Sequence, residues 1–262
     1  MRGPASIRRL LLSLAALMAL QLVNGRSCPA IDEPRVNPET IRIGAFFSGS
    51  HLSVSGKLPS DCEAVIEAIG PQVEEELMRK GRHWDLWMNV GEIDIFDAPR
   101  LYYVMSSDPA LLAGTHDDPA WGYAALRKEA TFKGTSVGGP NPQLFDEFIR
   151  LKEEQGLYGK FPAAVQRTES DEGRITVRGV FHFSTRVAPG PYRVCLSAVK
   201  EDRIIQRRCT TLEVSLTGLP AFLSLLATNH AVLYGLMAIA IAVAVGLLSG
   251  FAFKRGRKKD PC

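Results

Sequence analysis

The chain has 262 residues, 46% of them apolar and 23% charged, a composition that fits one or two globular domains. Its net charge of +3 is unevenly placed: residues 1–25 carry +3 and the tail after Phe253 carries +4, which leaves the middle at −4. A mildly acidic middle argues against a nucleic-acid partner, because phosphate binding rests on clustered Lys and Arg.

At the amino end, Arg2, Arg8 and Arg9 precede the apolar run from Leu10 to Val23 and the small residues of "VNGRS", the order of a secretory signal. The run is short against the roughly 20 apolar residues of a bilayer span, so residues 1–25 read as a cleaved signal peptide in preference to a retained anchor. Residues 26–217 then form an exported domain. Cys28, Cys62, Cys195 and Cys209 all fall in that part, where oxidation persists, and no CxxC occurs.

From Pro38 to Tyr103 the text is a string of short alternating segments. Ile41, Ile43 and Ala45 lie on one face, "FFSGS" breaks the chain, and Leu52 and Val54 resume, which reads as a hairpin. "EAVIEAIGP" supplies a third strand, "HWDLWMNV" and "EIDIF" two more on either side of Gly91 and Glu92, and "RLYYVMS" a sixth. Short strands separated by turn signals imply a β-sandwich.

A helical insertion is expected over residues 109–156. Its first half, Pro109 to Ala130, is interrupted by Gly114, Pro119 and Gly122. In "NPQLFDEFIRLKEEQG", Asn141 suits the cap, Pro142 the first helical position and Gly156 the exit. Leu144, Phe145, Phe148, Ile149 and Leu151 make one apolar face, as in a surface helix laid on the sandwich.

Strands return with Ile175, Val177, Phe181 and Phe183, and again with Tyr192, Val194 and Leu196. The segment "PGPYRV" looks like the penultimate strand of immunoglobulin-like modules, so the fold expected is an immunoglobulin-like β-sandwich. "KEDR" then turns the chain into "IIQRRCTTLEVSL". With a three-residue loop at Glu201 to Arg203, facing residue numbers sum to 404, and Cys195 falls opposite Cys209. In a non-hydrogen-bonded pair this brings the Cβ atoms within disulfide reach. No register argument decides whether Cys28 and Cys62 pair.

Residues 218–230 form an amphipathic juxtamembrane segment, "LPAFLSLLATNH", ahead of 23 uncharged residues, "AVLYGLMAIAIAVAVGLLSGFAF", at 231–253. At a rise of about 1.5 Å per residue this stretch crosses a hydrocarbon core of about 30 Å, and a helix satisfies its backbone there. Lys254, Arg255, Arg257, Lys258 and Lys259 follow in the tail, residues 254–262, and act as a stop-transfer cluster that keeps the carboxyl end cytoplasmic. Ala238, Ala242, Gly246 and Gly250 recur every four residues, a stripe that lets a second helix approach, from either another copy or a membrane partner.

Motifs for chemistry are weak. "GTSVG" matches a nucleophile elbow with Ser136 as nucleophile, yet "EATFK" is a poor strand before it and the helix begins only at Pro142. His51, His83, His116, His182 and His230 are scattered, and "HDD" at His116 to Asp118 reads as a capping acid pair, so no metal or cofactor is expected. Trp84 and Trp87 read as core rings on opposite faces of a strand.

The segments "FSGSHLSVSG", "GRHWDLWMNVGEIDIFDAPRLYYVMSS", "LYGKFP", "VAPGPYRV" and "FLSLLATNHAVLYGLMAIAIAVAVGLLSGFAFKR" together resemble an uncharacterised family of single-span proteins of this length, best known from alphaproteobacteria. The resemblance implies a signal, an exported domain and a terminal anchor, and carries no activity, catalytic residue or cofactor. The expectation is therefore a non-enzymatic binding or assembly module on the periplasmic face of the cytoplasmic membrane. The alternatives are an envelope serine hydrolase using Ser136, and a small-ligand or glycan-binding sandwich using Trp84, Trp87 or Tyr102.

Overall fold

Two-residue alternation of apolar and polar side chains along several segments gives each strand one face to bury, and two sheets meet on those faces. In the computed structural model, residues 31–113, 120–134, 142–170 and 173–256 are described. One sheet takes β1 (Arg35–Asn37), β3 (Ser50–Pro59), β10 (Gln166–Ser170) and β11 (Arg174–Phe183), in the order β1-β3-β11-β10 and antiparallel throughout. The other takes β2 (Thr40–Ile43), β4 (Glu63–Ile69), β7 (Tyr102–Ser106), β9 (Tyr158–Phe161), β12 (Gly190–Lys200) and β13 (Arg203–Leu216). Its order is β2-β13-β12-β4-β7-β9, antiparallel at the centre and parallel at both edges.

Leu52, Val54, Leu58, Val177 and Phe181 of the first sheet and Ile66, Tyr192, Val194 and Leu196 of the second are fully buried in one core. The sheets approach closely. A Cβ on Gly56 would sit 2.5 Å from a Leu196 methyl, and one on Gly179 would sit 2.4 Å from the Met105 sulfur. The Tyr192 hydroxyl donates to the Ala188 carbonyl at 2.8 Å and ties the start of β12 to the preceding turn.

Period two identified the inward faces of β2 and β3 but not their partners. The two strands are not a hairpin: β2 joins β13 in one sheet, and β3 joins β1 and β11 in the other. The "HWDLWMNV" segment is not one strand either. The chain reverses inside it at Trp84 and Asp85, between β5 (Gln72–His83) and β6 (Leu86–Pro99). Those strands form a third sheet with β8 (Thr131–Gly134), in the order β5-β6-β8, so "EATFK" does hold a short strand. This sheet grows out of the sandwich without a break. Gly70 N–H donates to the Leu101 carbonyl at 2.8 Å and Arg100 N–H to the Pro71 carbonyl at 2.9 Å, carrying the β4–β7 ladder into Gln72 opposite Pro99.

The insertion contains a 3₁₀ turn at Pro109–Leu112, α1 (Gly122–Glu129) and α2 (Pro142–Glu154). The apolar face of α2 covers the third sheet, where Phe132 of β8 meets Phe145 and Phe148 edge-on at 6.2 and 5.8 Å. Phe148 also reaches Tyr158 at the sandwich edge, 5.8 Å away. Asn141, the expected cap, lies outside the described residues.

Hairpin β12–β13 has a two-residue loop, Glu201 and Asp202, both at positive φ, rather than the three-residue loop expected. Lys200 therefore faces Arg203. A bulge between Ala198 and Val199 then shifts the register by one, and Cys195 faces Cys209 after all. The two are joined by a disulfide with Cα atoms 4.0 Å apart, in the closer class of cross-strand pair.

Candidate functional site

Three regions carry the features that a function could use: the carboxyl-terminal helices, the outer face of the six-stranded sheet, and the ribbon β5–β6. After β13 only Thr217 and Gly218 precede α3 (Leu219–Asn229), and only His230 separates α3 from α4 (Ala231–Gly256). The α3 ladder ends and the α4 ladder begins at His230, whose N–H donates to the Leu226 carbonyl and whose carbonyl accepts from Tyr234 N–H, each at 3.0 Å, while its φ of −136° and ψ of 55° interrupt the helix.

Within α4, Ala231–Phe251 is long and apolar enough to cross a membrane, and none of it is buried against the rest of the chain. Side chains such as Leu233, Ile239, Val243 and Leu248 stand exposed on every side, an arrangement that suits a lipid environment and not water. Ala238, Ala242, Gly246 and Gly250 are exposed along one stripe, and a Cβ at Gly246 or Gly250 would meet nothing within 4 Å. Lys254 and Arg255 fall in the last turns of α4, while Arg257, Lys258 and Lys259 lie outside the described residues.

The outer face of the large sheet holds a buried charge. Glu67 on β4 lies opposite Cys195 on β12, which lies opposite Cys209 on β13. One Glu67 oxygen accepts from the Tyr102 hydroxyl, and the other faces the Arg207 guanidinium at 2.7 Å. Gly122 N–H, at the start of α1, donates to the same Tyr102 oxygen at 2.8 Å. Glu67, Tyr102, Glu129, Arg193, Arg207 and the disulfide line a cavity of about 410 Å³. Burial pushes the Glu67 carboxyl above its ordinary value against the opposing pull of Arg207, and burial also raises the Tyr102 phenol. Tyr102 is thus a hydrogen-bonded, buried residue in the wall of that cavity. Both Glu67 oxygens have donors, so the group reads as a structural ion pair. Sequence patterns missed it because its members come from three strands.

Glu67 makes a prediction about pH. A carboxyl whose folded pKa lies above its unfolded value of about 4.3 binds its proton more tightly in the folded state. Its contribution to stability is present below that unfolded value and is lost as pH rises through the folded one. Glu67→Gln is expected to remove that loss. Urea unfolding of the detergent-solubilised protein, compared between wild type and variant across this range, should show their difference changing with pH. A constant difference would count against the raised value.

On β5–β6 the sequence expectation is reversed. Trp84 is 90% and Trp87 74% exposed, so neither ring is in the core. Further back, Glu76, Glu92 and Asp94 bring carboxylate oxygens within 4.8 Å of one another, and Glu76 pushes the Glu92 carboxyl up. This acidic trio is exposed or half-exposed surface. His182 faces His51 across β3–β11, with ring centroids 4.0 Å apart. Ser136 and His116 to Asp118 lie outside the described residues.

A mostly β chain with, among the described residues, one uncovered apolar helix long enough to cross a bilayer defines a membrane protein with a β-sandwich domain. Residues 33–255 match a family described as "Putative transmembrane protein (Alph_Pro_TM)", and the chain belongs to that family. No curated protein matches the chain.

Proposed function

We propose that this protein is a non-catalytic binding or assembly module anchored in the bacterial cytoplasmic membrane, with its β domain in the periplasm and its tail in the cytoplasm. In that position it serves as an accessory subunit of a transporter or envelope complex. The observation that supports this reading is the short connection from β13 through α3 to α4, with only Thr217, Gly218 and His230 outside helix or strand, a length that suits a domain working close to the bilayer on a membrane-embedded partner. Exposed Leu219, Phe222 and Leu225 on α3 suit the interface itself. The cations from Lys254 onward favour a cytoplasmic tail. The open stripe through Gly246 and Gly250 offers a partner helix close van der Waals contact.

Mild crosslinking in intact membranes tests this reading. An adduct with another membrane protein or a second copy is expected, and Gly246→Ile with Gly250→Ile should remove it by filling the stripe. Crosslinking that survives both changes would overturn docking through this face. Labelling of Ser136 by a fluorophosphonate probe would overturn the non-catalytic reading.

A further inference from the structure

Among the described residues, nothing pairs with or packs over the outer half of the ribbon β5–β6. β8 pairs with β6 only over Ile93 to Phe96, and α2 lies over Leu77, Ile93 and Ile95. Beyond them, among the described residues, the two strands pair only with each other up to the turn at Trp84 and Asp85. An isolated two-stranded ribbon is marginal in water. This one nevertheless ends in Trp84, Leu86, Trp87 and Met88, all exposed. The apolar residues occupy both faces: Trp87, level with Arg82, lies on one, and Leu86 and Met88, level with His83 and Gly81, lie on the other.

The apex is also costly. Trp84 and Asp85 have φ of 51° and 62°, where two-residue hairpins usually place Asn and Gly because a side chain is strained there. At 90% exposure the Trp84 ring gains no core packing in return.

Strand directions relate this tip to the anchor. β4 is antiparallel to β12, and β12 to β13, so β4 and β13 point the same way. The end of β13 leads to α3 and α4, and the end of β4 leads through Gly70 and Pro71 into β5. Ribbon and membrane helix therefore leave the sandwich from the same end. Ile69 is level with Thr211 through Arg193, five residues before Leu216. At about 3.3 Å per residue that is roughly 17 Å, against roughly 40 Å for the length of β5.

We propose that Trp84, Leu86, Trp87 and Met88 are seated in the headgroup–acyl boundary of the bilayer that α4 crosses, as a second membrane contact. A protein surface covers one face of a ribbon, whereas lipid surrounds a tip that is apolar on both. Tryptophan favours this boundary. Charge along the ribbon is ordered as depth requires: Arg82 lies level with Trp87 within the tip, Lys80 stands just behind it, level with Asn89, where anionic headgroups attract it, and Glu74, Glu76, Glu92 and Asp94 stand further back. Asp85 at the apex is paired with Arg82 at 3.0 Å. The contact depends on the anchor and not on any partner helix, so it stands or falls separately from the assembly role.

The test uses the full chain in nanodiscs of phosphatidylethanolamine and phosphatidylglycerol with brominated acyl chains. The protein has three tryptophans, and Trp121 is buried. Brominated lipid is expected to quench the emission of two of the three indoles and leave that of Trp121. The quenched share should disappear in the double variant Trp84→Asn/Trp87→Gln. Asparagine suits the positive φ of the turn, so the circular dichroism of this variant should be unchanged. Tip indoles quenched by aqueous iodide and not by brominated lipid would overturn the proposal. So would a photo-crosslinker at position 84 that yields only protein adducts in native membranes.

Discussion

Replacing Glu75 by Ala is expected to lower stability by about 3 kcal/mol, because it strands a buried ammonium. Lys152 on α2 is only 3% exposed, and its Nζ lies 2.6 Å from Glu75 on β5. It also sits 5.5 Å from the centre of the Phe148 ring. This pair fastens α2 to the base of the ribbon. Removing Glu75 leaves the charge in place without its partner, whereas Lys152→Met removes the charge and keeps the volume. Lys152→Met should therefore cost much less, since exchanging a buried charge for an apolar side chain of similar size is often close to neutral. Urea unfolding of both single variants and the double variant checks the point. Equal losses for Glu75→Ala and Lys152→Met would show that the pair is held by packing alone.

Breaking the bond between Cys195 and Cys209 is expected to cost a similar amount, about 3 kcal/mol on the chain-entropy account of a loop this short. The two residues are 14 apart in sequence, and β12 and β13 remain paired on both sides of them. The loss should therefore appear as faster unfolding or a lower midpoint, with the fold retained. Cys195→Ala/Cys209→Ala, compared with wild type under oxidising and reducing conditions, separates the effect of the bond from that of the side chains. Wild type under reduction should approach the variant. A midpoint insensitive to reductant, or Cys195 and Cys209 thiols free to alkylate in the purified, unreduced protein, would contradict it. The bond also shapes the cavity beside Glu67, so the Glu67 comparison above is best made with the disulfide intact.

The register of that hairpin shows how far a sequence argument reaches. Facing numbers that sum to 404 did put Cys195 opposite Cys209, but through a three-residue loop that the chain does not form. A tighter turn at Glu201 and Asp202, offset by a bulge at Ala198, arrives at the same pairing. Bulges depend on twist and on the neighbouring strand β4, and neither is written in a single segment. The helix α2 was legible in Phe145, Phe148 and Ile149 because they recur at helical spacing. Lys152 was not, since one lysine on an amphipathic helix reads as solvent-facing until a carboxylate from a distant strand is brought against it.

What the sequence determined by itself is the local and one-dimensional part: an uncharged stretch long enough for a bilayer, the cations behind it, and the inward faces of strands such as β11 and β12. Each follows from hydropathy and period within a few neighbouring residues, and physics acts on those residues wherever they end up. Tertiary structure alone decided which strands pair, that Glu67, Tyr102 and Arg207 share one buried hydrogen-bonded group, and that Trp84 and Trp87 stand outside the core. Those outcomes depend on what meets a side chain from elsewhere in the chain. An indole that fills a core and one that projects from a ribbon are the same letter until the rest of the fold has covered one and left the other bare.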